Sequence, residues 1–322
     1  MNDVLLSNEV IVYLFAQSLI FIFSVLAFYF SLNIIKKWDF TSSSALQYKL
    51  EKRSYLVILI ISFTMFAKIL LLPYFVYALD NLSSIVPGAM CAAGNVTAND
   101  YGQNLLFLKV FVIFFVCVWL IINSLDLKAT TYPYTKKKYL LYVIVFALVC
   151  IEIILDFLYF SNIPTTEPVV CCSTIYGASS ATNHIPFNLD TKFMLVIFYL
   201  VFFVLLLLNF QKSSLLSFVF SILFLYISYY AVTYFFSTYV YELPTHQCPF
   251  CMLQKEYSFV GYFIWSSLMI GTFLSMSTVV LEKYIKQNID KLFLISNIFL
   301  AIFVGICSFY VFRYYFVNGV FL

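Results

Sequence analysis

The sequence predicts an all-α, polytopic membrane helix bundle of about eight transmembrane helices. Hydrophobic residues make up 63% of the chain and charged residues only 10%, whereas roughly a quarter of a soluble domain is charged. The mean hydropathy is +0.97. Apolar runs recur along the chain, each close to the roughly 20 residues that cross a bilayer core. We therefore expect a single integral membrane domain over residues 1–322.

Eight apolar runs justify the helix count. They cover residues 10–35, 54–78, 104–125, 139–161, 193–210, 216–240, 257–281 and 293–317. The fifth run is the shortest. If the bundle were divided into two parts near residue 215, five runs would precede the boundary and three would follow it. The Met-Asn-Asp-Val start has no basic n-region, so we expect no cleaved signal peptide. Basic patches with interleaved aromatic residues do not occur outside the apolar runs, so we expect no nucleic-acid partner.

The distribution of lysine and arginine predicts the orientation of these runs. Thirteen of the 18 basic residues fall in one alternating set of loops: Lys36, Lys37, Lys49, Lys52, Arg53, Lys128, Lys136, Lys137, Lys138, Lys212, Lys283, Lys286 and Lys291. The other loops, 79–103, 162–192 and 241–256, contain only Lys192 and Lys255. Because basic loops stay in the cytoplasm, we expect the second set and both termini on the non-cytoplasmic side.

The cysteines divide between these loops and the apolar runs. Five fall in the loops predicted to be non-cytoplasmic: Cys91, Cys171, Cys172, Cys248 and Cys251. That side of a membrane is where disulfides form and persist. The remaining three, Cys117, Cys150 and Cys307, lie within apolar runs. There we expect them to act as small apolar fillers.

The Cys248-Pro-Phe-Cys251 motif, directly before the seventh apolar run, is the main candidate for chemistry. A redox-active disulfide, a metal-binding pair or a structural staple each fits the spacing. A staple closing so short a loop adds little stability. We expect Cys251 in the first turn of the next helix, where the helix N-terminus favours a thiolate. Lys255 would then lie one turn further on the same face, and Cys248 would be the more accessible thiol.

The stretch Cys248-x-x-Cys251-x-x-Gln254-Lys255 resembles the quinone-reducing disulfide oxidase family of the bacterial inner membrane (DsbB). The resemblance covers the sixth and seventh runs. It implies that Cys248 and Cys251 are the redox pair, and that Gln254 and Lys255 lie beside a quinone, with lysine where the family has arginine. The chain order, with loop cysteines before the Cys-x-x-Cys pair, is more similar to the vitamin K epoxide reductase family. Both families are built on a four-helix core.

The other loop cysteines suggest a second pair of thiols. Adjacent cysteines such as Cys171 and Cys172 seldom bridge each other, because the joining peptide strains the geometry. A bridge from Cys91 to one of them leaves the other to relay electrons by thiol–disulfide exchange. The alternative is a plain staple between two loops. The candidate catalytic set therefore contains Cys248, Cys251, Cys171, Cys172 and Cys91.

A soft-metal site is the main alternative to redox chemistry. His246-x-Cys248-x-x-Cys251 offers an imidazole and two thiolates, which suit copper, zinc or mercury. Cys171, Cys172 or Met252 would complete the ligand set. Equally, His246 would move a thiol proton, or be an ordinary loop residue. The other histidine, His184, also falls in a predicted outer loop.

Charged residues within the apolar runs form the last candidate group: Lys68, Lys109, Glu152, Asp156 and Arg313. Charges at membrane depth are costly and usually pair or line a pathway. Glu152 and Asp156 are four residues apart and share one helix face. We expect pairing across helices at matching depths, with Asp156 in reach of Lys109 or Arg313. Structural contacts and a proton path are both open interpretations.

These features together predict a membrane thiol–disulfide oxidoreductase. It would exchange electrons between an extracytoplasmic thioredoxin-like partner and a membrane quinone. By resemblance, its location is the bacterial inner (plasma) membrane, with lipid around the helices. The alternatives are a soft-metal binding or transport protein and a non-catalytic subunit of a membrane complex.

Overall fold

The structure, a computed structural model, describes residues 3–39, 44–129, 132–169, 190–244, 246–285 and 290–322. These residues form helices and connecting loops without a β-strand, which confirms the predicted all-α class. Eight helical spans in them are long and apolar enough to cross a membrane. The chain divides into two compact units, Met1–Cys171 and Cys172–Leu322. Two compact units can still act as one domain, so the single-domain expectation stays a prediction.

The first unit is a bundle of four long helices with one short helix in a loop. They are α1 (Asn8–Lys37), α2 (Ala45–Asn81), the short α3 (Ala92–Val96), α4 (Asp100–Lys128) and α5 (Thr135–Ser161). Helix α1 packs on α2 and α5, and α4 packs on the same two helices, so the four long helices form a ring. Two of them begin at side-chain caps, because Ser44 accepts from the Gln47 N–H and Asn99 from the Gly102 N–H.

Buried aromatic residues with polar tips hold the centre of the first unit together. The Trp119 Nε1–H donates to the Lys138 carbonyl (2.9 Å), and the Tyr142 hydroxyl donates to the Ser24 carbonyl (2.8 Å). Helices in lipid gain no hydrophobic driving force from packing on each other, so close contacts and hydrogen bonds hold such bundles together. These two bonds connect α4 to α5 and α5 to α1.

The turn between α4 and α5 is fixed by a buried ion pair. Lys138 Nζ lies 2.6 Å from Asp126 Oδ2, and neither side chain is exposed. The Tyr134 N–H donates to Asp126 Oδ1 (2.8 Å). Lys138 was predicted in a cytoplasmic loop, but it belongs to α5 and is buried, because the carboxylate of Asp126 compensates its charge.

The second unit is also a ring of four long helical segments. It contains α6 (Thr191–Phe210), α7 (Ser214–Ala231), a π-helical turn (Val232–Phe236), α8 (Ser237–Tyr241), α9 (Val260–Ile285) and α10 (Asp290–Asn318). The α7 helix, the π turn and α8 make one continuous span. The α7 helix packs on α6 and α9, and α10 packs on the same two helices.

A phenylalanine cluster and a polar node form the interior of the second unit. Phe198 meets Phe224, Phe236 and Phe303 with ring centroids 5.3–6.1 Å apart, and all four side chains are buried. Towards the other end, the buried amide of Asn209 donates to Asn297 Oδ1 (2.7 Å) and accepts from Ser275 Oγ (2.9 Å). One asparagine thereby joins α6, α9 and α10.

Candidate functional site

The Cys248–Cys251 motif lies in the connection between α8 and α9. Helix α8 ends where Glu242 takes the left-handed conformation (φ 56°). Cys251 begins a short 3-10 turn, Cys251–Leu253, and the α9 helix starts only at Val260. The expectation that Cys251 occupies the first turn of the long helix was therefore wrong.

The position of Lys255 also differs from the expectation. Lys255 is exposed and begins a second 3-10 turn, Lys255–Tyr257. Gln254, between the two turns, is extended (φ −81°, ψ 161°). This extended residue interrupts the helical path, so Lys255 does not share a helix face with Cys251. The sequence-based prediction of a shared face was therefore wrong.

The two sulfur atoms of the motif lie close together. Cys248 Sγ and Cys251 Sγ are within 4.8 Å of each other. Cys248 is fully buried and Cys251 is 6% exposed, so the prediction that Cys248 is the more accessible thiol was wrong. The distance suits two atoms that react with each other or share one ligand. Because both thiols are buried, a bulky reactant reaches them only after the protein opens locally.

Tyr241 is the main support of this connection. Its hydroxyl donates to the Cys248 carbonyl and accepts from the Met252 N–H (2.9 Å), so one oxygen fixes the backbone on both sides of the motif. From α9, the Trp265 Nε1–H donates to the Pro249 carbonyl (3.1 Å). The motif is thus held by hydrogen bonds from the helices before and after it.

Aromatic rings and one imidazole surround the Tyr241 side chain. The ring of half-buried His246 meets the Tyr241 ring edge-on at 4.4 Å between centroids, and Tyr257 lies 4.6 Å away on Tyr241 as well. Partial burial raises the pKa of the Tyr257 phenol, and nearby Cys251 and Glu256 raise this pKa further. A phenol that stays protonated beside Cys251 keeps its hydrogen-bond donor at neutral pH.

The α9 helix approaches the cysteine-bearing turn unusually closely. A Cβ atom on Gly261 would lie 2.5 Å from Met252 Cγ and 2.9 Å from the Met252 carbonyl carbon. Only glycine therefore fits at this contact. Just before the helix, Ser258 and Phe259 have φ values of 54° and 56°. Two successive non-glycine residues in the left-handed conformation are strained. Because neither has helical backbone angles, α9 begins only after them.

The structure describes only some of the other predicted site residues. Cys91 is buried in the first unit, at the N-cap position of α3. Nearby, the Ala92 N–H donates to Asp80 Oδ1 (3.2 Å), which fixes this loop to the end of α2. Cys171, Cys172 and His184 lie outside the described residues. The predicted roles of Cys171 and Cys172, as a thiol relay, a staple between loops or metal ligands, therefore stay predictions.

Four of the five predicted intramembrane charges come together inside the first unit. Lys68 Nζ lies 2.7 Å from Glu152 Oε1, and Lys109 Nζ lies 2.8 Å from the same oxygen. Lys109 Nζ is also 2.8 Å from Asp156 Oδ1. The predicted pairing of Asp156 with Lys109 is confirmed. Arg313 lies exposed on α10 of the second unit.

Two uncharged residues complete this charge cluster, and sequence reasoning missed both. The Tyr13 hydroxyl donates to Asp156 (3.0 Å), and Gln17 Oε1 accepts from Lys68 Nζ (3.0 Å). A glutamine within the first apolar run, four residues after a tyrosine, was the available signal, because residues at that spacing share a helix face. With two lysines and two carboxylates, the cluster balances its charge.

Comparison of the chain with family models, with curated proteins and with solved structures found no match. The resemblance to the membrane disulfide oxidases therefore rests on the sequence alone, on residues 248–255 and the apolar runs on either side of them.

Proposed function

We propose that this integral membrane protein is a thiol–disulfide oxidoreductase that works through Cys248 and Cys251. The observation that supports this most is the pair itself. Two sulfur atoms within 4.8 Å sit in a connection that hydrogen bonds anchor to α8 and α9. Such anchoring keeps both thiols in reach of each other through a cycle of bond breaking and bond formation.

The proposed reaction balances in two half-reactions. A partner thiolate attacks one sulfur of the Cys248–Cys251 disulfide, which forms a mixed disulfide and releases the other cysteine as a thiolate. The partner's second thiol then closes the partner's disulfide and leaves both cysteines reduced. A membrane quinone takes two electrons and two protons from them, which yields quinol and restores the disulfide.

Two residues next to the pair are the candidates for contacting the quinone. Gln254 offers an amide, and exposed Lys255 offers a positive charge that suits a reduced, anionic quinone. A thioredoxin-like dithiol protein is the proposed partner. We place the reaction on the non-cytoplasmic face of a bacterial inner membrane, because the loops on the opposite side hold most of the basic residues.

Soft-metal binding is the second candidate function. A zinc ion bonded to two thiolates at about 2.3 Å holds the sulfur atoms at most about 4.6 Å apart. The sulfur separation, within 4.8 Å, is compatible with this arrangement. His246, two residues before Cys248, is the proposed additional ligand.

Activity in reconstituted vesicles tests the redox proposal. The membrane protein is reconstituted into liposomes that contain ubiquinone, and a reduced thioredoxin-like protein is added as electron donor. Quinol formation is followed by absorbance. We expect activity that Cys248→Ser and Cys251→Ser each abolish. Cys150→Ser, a change within α5, is the matched control and should retain it. Absence of quinol formation by folded wild-type protein, or equal rates in all variants, would contradict the proposal.

A further inference from the structure

The buried carboxylates of the first unit differ in how their oxygens are used. Asp126 has both oxygens occupied, by the Tyr134 N–H and by Lys138. Glu152 receives both of its lysines on Oε1, while its buried Oε2 has no hydrogen-bond partner. A buried carboxylate oxygen that no protein group satisfies needs another partner, such as a water molecule.

Two small cavities adjoin the ion pair of Lys68 and Glu152. The first, with a volume of about 10 Å³, is lined by Tyr13, Lys68, Lys109 and Glu152 together with apolar residues. That volume is at the lower limit for one water molecule, and the polar lining offers it partners. Glu152 lines this cavity, and its Oε2 atom is an acceptor that no described protein group uses.

The second cavity also borders Lys68. It also has a volume of about 10 Å³, and its lining combines six apolar residues with Ser24, Thr64, Lys68 and Tyr142. Glu152 does not line this cavity. Among the residues that the structure describes, Lys68 is therefore the one charged residue that borders both cavities. Its ammonium group bonds to Glu152 at 2.7 Å.

We propose that Glu152 and Lys68 form a proton relay between these two cavities, a function separate from the cysteine chemistry. A hydronium ion in the first cavity gives its proton to Glu152 Oε2. Lys68 then releases an ammonium proton to water in the second cavity. The carboxyl group turns, and its proton moves to the neutral Lys68 amine. One proton has crossed the pair, and both groups return to their starting charge.

The surrounding groups keep the relay electrically balanced. Among the described residues, the charged and titratable groups near the pair are Lys109 from α4, Asp156 and Tyr142 from α5, and Tyr13 from α1. Lys109 stays bonded to Asp156 when Glu152 is protonated, so it keeps a counter-ion. Gln17 keeps Lys68 in place through its amide oxygen at 3.0 Å.

Proton flux into liposomes tests this relay. Protein is reconstituted with a pH-sensitive dye inside the vesicles, and valinomycin with a potassium gradient sets the membrane potential. We expect the wild type to admit protons faster than protein-free vesicles do, and Glu152→Gln or Lys68→Met to abolish that excess. The control is Tyr139→Phe, which removes a buried hydroxyl of the same unit that lines neither cavity. This variant should conduct like the wild type.

A double variant keeps the test decisive if a single change prevents folding. Lys68→Met with Glu152→Gln removes one charge of each sign and leaves the Lys109–Asp156 pair intact. Replacing a complete buried ion pair is tolerated far better than removing one partner. The folded double variant should lack the excess flux. Flux equal to that of the wild type in this variant, or wild-type flux no higher than in protein-free vesicles, would overturn the proposal.

Discussion

Tyr241 shows how a single hydroxyl organises the candidate site. It bonds to the backbone of Cys248 and Met252 at once, so its removal leaves a buried carbonyl and a buried N–H without that partner. Each such loss costs about 1–3 kcal/mol. We predict that Tyr241→Phe makes local opening of the connection easier, so that reduced Cys248 and Cys251 react faster with a thiol reagent.

The measurement is the alkylation rate of both cysteines in reduced, detergent-solubilised protein, read by mass spectrometry. Tyr257→Phe is the matched control, because its ring packs on Tyr241 while Tyr241 keeps both bonds. We expect wild-type rates for this control. Equal acceleration in both variants would contradict the claim that the two bonds of the Tyr241 hydroxyl hold the connection.

At the residue scale, the sequence predicted ionic contacts better than neutral ones. Charges in apolar runs have few alternatives to pairing, so cost and depth predicted that Asp156 pairs with Lys109 or Arg313. The structure shows the pair with Lys109. The parts played by Tyr13 and Gln17 did not follow, because hydroxyl and amide groups occur in membrane helices without a partner on another helix. Lys138 was wrongly assigned to a loop, because loop composition does not reveal that Lys138 forms a buried ion pair with Asp126.

At the scale of helices and turns, the close approach of α9 to the cysteine-bearing turn leads to a prediction about Gly261. Alanine at position 261 would push against the fully buried Met252, whose backbone cannot yield without moving Cys251. Overpacking of this kind costs about 1–3 kcal/mol. We predict a lower melting temperature for Gly261→Ala and faster alkylation of reduced Cys251.

Gly305→Ala provides the comparison, since a Cβ atom at this position of α10 meets nothing within 4 Å. Alanine loses less backbone entropy on folding than glycine does. That variant should therefore be as stable as the wild type, or more stable by roughly 0.5–1 kcal/mol. Equal destabilisation by both substitutions would contradict the close-contact argument.

Element boundaries mark the limit of what hydropathy predicts. The seventh apolar run begins at Tyr257, but the helix begins at Val260, because Ser258 and Phe259 adopt left-handed backbone angles. Hydropathy measures the preference for lipid and carries no information about dihedral angles. For the same reason, hydropathy did not predict that Cys251 and Lys255 lie in separate 3-10 turns and not on one helix face.

For the molecule as a whole, the eight spans followed directly from the apolar runs, whereas their orientation is a prediction from charge. We predict that Thr97→Cys is labelled by an impermeant maleimide on intact cells, and that Lys136→Cys is labelled only after lysis. Both positions are exposed. Labelling is measured as the excess over wild type, which accounts for the native cysteines. The reverse pattern would place the cysteine loops in the cytoplasm and remove the oxidising surroundings that the proposed chemistry needs.

The redox state of the Cys248–Cys251 pair distinguishes redox chemistry from metal binding. Protein is alkylated in the membrane before purification, digested and analysed by mass spectrometry, with metal content measured on the same sample. We predict a peptide with Cys248 and Cys251 linked, which a dithiol opens and a quinone closes again. Two thiols that persist with stoichiometric copper or zinc, and that quinone does not oxidise, would contradict the account and favour metal binding.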